Sequence, residues 1–179
     1  MGACLAAPGA ATANPISFGP WKPGANAVTY DPAVVPVGST ADLSFMATMS
    51  TLGIRLTVTG MRPHRTYGAH LHVNRCGADP KDAGPHYQHE HDPAATKEKP
   101  SSDPRYANPE NEVWLDFTTD AGGSATVVRV HDGMFHGTRP RSLVLHAEKT
   151  KTAAGTAGSA GTRVACLNLP FGYDAHGGR

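Results

Sequence analysis

The chain has 179 residues, enough for one domain with a sizeable core. Only 17% of them are charged and the net charge is +1, which argues against nucleic acid or an anionic membrane surface as the main partner, because both select basic patches. Twenty glycines and 15 prolines favour a loop-rich fold, and no apolar run reaches the length of a membrane span.

Residues 1–13 read as the remnant of a signal peptide. The stretch from Cys4 to Ala13 is small and apolar, and Ala11-Thr12-Ala13 fits an A-x-A cleavage site before Asn14. A charged segment ahead of it is missing, and the other reading is an Ala-rich tail. The domain then runs over 14–172, with a short tail at 173–179. No internal repeat or second domain is visible.

Within the domain, short alternating runs dominate and helical periodicity is nearly absent. Leu43, Phe45 and Ala47 alternate with Ser44, Met46 and Thr48; Ile54, Leu56 and Val58 alternate with Arg55, Thr57 and Thr59. Val113, Leu115 and Phe117 form a third run. Thr126, Val128 and Val130 form a weaker one, because Val127 between them is apolar too, and Leu143 and Leu145 another, flanked by Val144 and His146. Turn signals separate them, among them Leu52-Gly53, Gly60-Met61-Arg62-Pro63, Asp120-Ala121-Gly122-Gly123 and Gly137-Thr138-Arg139-Pro140. This pattern predicts an all-β antiparallel sandwich or barrel. Alternation by itself marks no dimer patch. Two segments depart from it: 73–111, rich in Pro, Asp, His and Lys, and 148–162, mostly Lys, Thr, Ala and Gly. Long irregular loops in a compact domain are usually functional or mobile, and the first carries His86, His89 and His91.

Of the three cysteines, Cys4 falls in the segment read as removed. Cys76 and Cys166 are then an even pair in an exported chain, which favours a disulfide over two buried thiols. The histidines hold the strongest chemical signal. In Gly68-Ala69-His70-Leu71-His72 two imidazoles sit at i and i+2, on one face if the segment is extended. Rings held at that spacing can share a metal ion. His86 in Gly84-Pro85-His86 and His146 in Leu143-Val144-Leu145-His146 could complete a four-nitrogen site. His64, His131, His136 and His176 read as solvated surface residues.

Four ordered motifs with compatible spacing resemble the copper/zinc superoxide dismutase family, from about Ala41 to Phe171. Gly68-Ala69-His70-Leu71-His72 resembles its paired copper histidines, Gly84-Pro85-His86-Tyr87 the segment of its bridging histidine, and Arg141 to His146 the strand of its last copper ligand. Gly161-Thr162-Arg163-Val164-Ala165-Cys166 resembles the segment that carries its active-site arginine and a disulfide cysteine. The resemblance implies a Greek-key β-barrel of about eight strands, with copper on its outer face held by His70, His72, His86 and His146. Imidazole suits copper, which supplies a one-electron couple that zinc cannot. Arg163 would guide the anionic substrate, superoxide, since a guanidinium attracts and orients a small anion.

Departures from the family pattern are equally informative. Anchored on Thr118-Thr119-Asp120 and Gly123, a zinc histidine of the family falls on Glu110 and the zinc aspartate on Val113. The stretch from His146 to Cys166 is short and has no acidic residue after Glu148, so the aspartate that links the two metal sites in the family has no counterpart there. These features resemble the copper-only branch, with zinc absent. They predict that Glu110 bonds the far ring nitrogen of His86, with Glu112 as the alternative partner. A zinc site rebuilt from His86, His89, His91 and Asp92 is the competing reading, since three histidines and a carboxylate suit tetrahedral zinc. The resemblance thus implies an exported, extracytoplasmic copper enzyme that converts superoxide to O₂ and H₂O₂, with Arg163, His86 and Glu110 as the working residues. In that family mechanism Cu(II) and Cu(I) alternate and His86 passes a proton. The alternative is an extracellular copper-binding module on the same barrel.

Overall fold

A computed structural model describes residues 14–96, 98–133, 135 and 139–169. The segments read as a signal remnant (1–13) and a tail (173–179), and with them His136 and His176, lie outside the described residues.

The described residues form nine strands: β1 (Ile16–Ser17), β2 (Ala27–Thr29), β3 (Thr40–Ala47), β4 (Thr51–Thr59), β5 (Thr66–His72), β6 (Phe117–Thr118), β7 (Ala125–Asp132), β8 (Ser142–His146) and β9 (Arg163–Asn168). They make two antiparallel sheets, one ordered β1-β3-β4-β7 and the other β2-β9-β8-β5-β6. The fold is therefore all-β, as the alternation predicts. The excess over eight strands comes from short pieces such as β1 and β6.

The core lies between the sheets and follows from period-two alternation. Leu52, Ile54, Leu56 and Val58 of β4 point inward, and they meet Tyr67, Ala69 and Leu71 of β5 and Leu143 and Leu145 of β8. Each buried Leu or Ile contributes about 1.5–3 kcal/mol of transfer free energy. Tyr67 adds an anchored aromatic, stacked on Phe117 at 5.1 Å with its hydroxyl donating to the Val34 carbonyl at 2.8 Å. On β7 it is Ala125 and Val127 that pack toward the core, while Val128 and Val130 face solvent at 44% and 68% exposure. The imperfect alternation there reflects an edge strand with apolar residues on both faces.

The second sheet differs from the first in being covered on its outer side as well. All five residues of β8 are buried. Its Val144 packs outward against Ala83 and Cys166, under the 73–111 segment. That segment contains a short 3₁₀ turn, Pro80–Ala83, whose Asp79 side chain accepts from the Lys81 amide while Asp82 returns the bond to the Asp79 amide. The 148–162 segment is irregular but hydrogen-bonded, its arms joined by Glu148 N–H to Ala160 O and Lys151 N–H to Ser159 O, both at 2.9 Å.

Cys76 and Cys166 form a disulfide that ties the 73–111 segment to β9 across 90 residues of chain. Beside it, the Cys76 amide donates to Asn168 Oδ1 at 2.8 Å. A crosslink closing a loop of that size contributes roughly 4–5 kcal/mol in the chain-entropy model. Reduction should therefore lower the melting temperature by about 10–20 °C. The far-UV circular dichroism at 20 °C should stay that of the folded sheet. Calorimetry on reduced and oxidised protein checks this, and an unchanged melting temperature would contradict the anchoring role.

Candidate metal centre and its surroundings

The outer face of the second sheet carries the histidines. On β5, Leu71 points into the core, so His70 and His72 on either side must point outward. Both rings have 0% exposure. Register places His146 at the end of the neighbouring β8, opposite Gly68. The chain then returns from the 3₁₀ turn so that His86 pairs with His72 in an isolated antiparallel bridge. The ligand atoms of His70, His72, His86 and His146 lie within 4.8 Å of one another, the one group of three or more such residues found among the described residues that could hold a metal.

Each ring has one nitrogen satisfied by the protein and the other turned toward this centre. His72 Nδ1 donates to the Gly84 carbonyl at 2.9 Å, and His146 Nδ1 meets the Gly161 carbonyl at a longer 3.4 Å. His86 Nδ1 donates to Glu112 Oε2 at 2.7 Å. His70 uses its other nitrogen: Nε2 lies 2.7 Å from Thr150 Oγ1. The atoms left over, His70 Nδ1, His72 Nε2 and His146 Nε2, are buried without any hydrogen-bond partner. Orphaned buried nitrogens are costly unless something binds them, and a metal ion is the ligand that lone pairs on neutral imidazoles suit. Burial supplies the neutrality. Desolvation, aided by the neighbouring rings and Arg163, pushes His70 and His72 well below the usual histidine range, and desolvation is the main cause that lowers His146 to about 3.

These features coincide with a family assignment. The family model described as copper/zinc superoxide dismutase (SODC) matches residues 39–169, most of the chain. The chain belongs to the copper/zinc superoxide dismutase family. No curated protein sequence matches it.

The carboxylate beside His86 is Glu112, and this corrects the expectation placed on Glu110. Residues 104–111 form consecutive turns, capped by Asp103 and Asn108, and Glu110 sits on them in solvent. Strand-like pairing begins only afterwards, with Glu112 opposite Gln88 and Trp114 opposite His70. Glu112 and Trp114, two apart in an extended segment, thus turn to the same side as the metal centre. Glu112 is 2% exposed and fully bonded: Oε2 accepts from His86 and from Trp114 Nε1 at 2.7 Å, and Oε1 accepts from Gln88 Nε2 at 2.8 Å. Gln88 and Trp114 had no functional signal of their own in the sequence. The i, i+2 spacings His86/Gln88 and Glu112/Trp114 would have singled them out once both segments were known to be extended.

Arg163 lines a cavity of about 700 Å³ together with His86, His146, Gln88, Glu112 and His91. Its guanidinium is held by two carbonyls, Nη1 donating to Pro80 O at 3.0 Å and Nη2 to Gly84 O at 2.8 Å. The Gly84 carbonyl therefore serves both Arg163 and His72. The conformation that aims it there has φ of +73°, and a Cβ would meet Asn74 Nδ2 at 2.7 Å, so only glycine fits. Asp92 also lines the cavity, and the ring of His89 lies 6.2 Å from that of His131; among the described residues His89, His91 and Asp92 join no cluster with His86 that could hold a metal.

Glu112→Ala should leave the donors of His86, Gln88 and Trp114 unpaired in a buried setting and destabilise the metal-free protein by about 2–4 kcal/mol. Glu110→Ala should change stability by no more than about 0.5 kcal/mol, as expected of an exposed site. Denaturant unfolding of the two variants checks the assignment, and the reverse ranking would restore Glu110.

Proposed function

We propose that the protein is an exported copper-dependent superoxide dismutase that works with one metal. The observation that carries this reading is the convergence of four imidazoles, each with one nitrogen held by the protein and the other left for a ligand, at a cavity that also contains Arg163. His70 through Nδ1, and His72, His86 and His146 through Nε2, would hold the ion. An all-imidazole set suits copper. Bound copper supplies the one-electron couple by which two superoxide ions and two protons become O₂ and H₂O₂.

The protein's own residues perform the remaining tasks. Arg163, half-buried and pinned by two carbonyls, presents its positive charge to the cavity, where a small anion meets it in a fixed orientation. His86, 17% exposed, is the most open of the four rings, lines that cavity and is placed to carry a proton at Nε2. Glu112 keeps its Nδ1 protonated and prevents the ring from turning.

The same bond supports the one-metal reading. In a two-metal arrangement His86 Nδ1 would be the bridging nitrogen, but here the carboxylate of Glu112 occupies that direction, backed by Gln88 and Trp114. The disulfide is compatible with an oxidising, extracytoplasmic compartment, and the residues of 1–13 suit an export signal. Among the described residues no helix is long and apolar enough to cross a membrane.

Copper-reconstituted protein should consume superoxide, with copper near one per chain and zinc far below it by elemental analysis. Arg163→Ala should lower kcat/KM about ten-fold or more and weaken its dependence on ionic strength. Near-equal copper and zinc would overturn the one-metal reading. Tight copper binding without superoxide consumption would make the protein a copper-binding module instead.

A further inference from the structure

His70 differs from its three companions in what holds it. Its Nε2 meets a hydroxyl, Thr150 Oγ1, rather than a carbonyl or a carboxylate. Thr150 Oγ1 donates its only proton to Asp116 Oδ1 at 2.7 Å, and the Thr150 amide donates to Asp116 Oδ2 at 2.8 Å. With its proton committed, the hydroxyl can only accept from His70. The chain of donors therefore has one direction, from His70 Nε2–H to Thr150 to Asp116. Asp116 itself is 3.7 Å from His70 Nε2, beyond direct bonding, and its Oδ1 also accepts from the Ala69 amide of β5 at 3.1 Å.

Thr150 stands near the start of the 148–162 segment. That segment lies directly on β5: a Cβ on Gly68 would meet Ala160 Cβ at 2.5 Å and the Glu148 carbonyl at 2.7 Å. Gly68 is two residues from His70 on the same face of the strand. One carboxylate, Asp116, thus joins the β5 backbone, the incoming loop and, through the loop's hydroxyl, a metal-facing imidazole.

We infer that Thr150 and Asp116 are positioning residues that fix His70 in its Nε2–H tautomer and make the metal centre depend on the seating of residues 148–162. The loop is thereby a structural component of the centre as well as a wall of the cavity. With it seated, Nδ1 of His70 carries the lone pair; with it displaced, the ring can take the other tautomer and lose its direction. The role in binding copper rests on the proposed function, whereas the tautomer is a property of the metal-free protein.

The test uses the full-length protein and the variants Thr150→Val and Thr150→Ser. In metal-free, ¹⁵N-labelled protein, long-range ¹H–¹⁵N spectra should show a slowly exchanging Nε2–H on His70 in the wild type and in Thr150→Ser. Thr150→Val should lose it. Competition titration with Cu²⁺ should show affinity falling about 10–100-fold in Thr150→Val, the usual cost of removing such a partner, and recovering in Thr150→Ser. The copper hyperfine splitting should change in Thr150→Val alone. A Thr150→Val protein that keeps both the Nε2–H tautomer and wild-type copper affinity would overturn the inference. Should that variant not fold, Asp116→Asn takes its place: faster exchange of the Thr150 amide and of His70 Nε2–H is expected, and unchanged exchange of both would overturn it. Failure of the wild type to bind Cu²⁺ would overturn the copper reading while leaving the tautomer measurement to decide the role of Thr150.

Discussion

Four imidazoles packed side by side, three of them buried, can share one ion only if each points its lone pair the same way. The surroundings of the centre answer to that constraint. Every ring needs one acceptor for its N–H, and the acceptors are unlike: the Gly84 carbonyl, the Gly161 carbonyl, the Glu112 carboxylate and the Thr150 hydroxyl. With those protons placed, the remaining nitrogens have nowhere to go but the common centre. Removing an acceptor would free a ring to turn, so a site of four ligands is in practice a site of eight residues.

Sheet geometry supplies the first part of this arrangement at little cost. His70, His72 and His146 lie on adjacent paired strands whose opposite faces hold the core residues Leu71, Leu143 and Leu145. A shift of register by one residue would turn the histidines inward and the leucines out, so the hydrophobic core fixes the metal face. Loops supply the second part, and they are fastened where it matters. The disulfide and the Arg163 guanidinium hold the Pro80–Gly84 stretch to β9, and that stretch supplies the carbonyl that orients His72. The Arg163 guanidinium and the His72 ring are thus coupled through one peptide group.

The parts legible in the sequence were those set by local rules. Alternation marked the segments of β3, β4, β7 and β8, and an i, i+2 pair on a strand needs no further information to share a face. The even cysteine pair pointed to the disulfide. What local rules could not reach was register across irregular chain. Glu110 and Glu112 have the same parity, so nothing in their spacing separates them; the turns capped by Asp103 and Asn108 decide which one enters the extended pairing beside His86. Thr150 and Asp116 were invisible for a similar reason. Their meeting depends on how the 148–162 segment folds back over β5, and a lone threonine in a Lys- and Thr-rich stretch carries no mark. The weak alternation of β7 misleads in the same way, because an edge strand with valines on both faces does not declare which face is buried.

On the proposed reading one metal sits among four imidazoles while protein carboxylate, not a second ion, holds the far side of His86. Crystals of protein loaded with both copper and zinc, measured at the two absorption edges, test it most directly. A single anomalous peak is expected, at the copper edge, within bonding distance of His70 Nδ1 and of Nε2 of His72, His86 and His146, with Glu112 still bonded to His86 Nδ1. A second peak at His86 Nδ1, with Glu112 swung away, would contradict it.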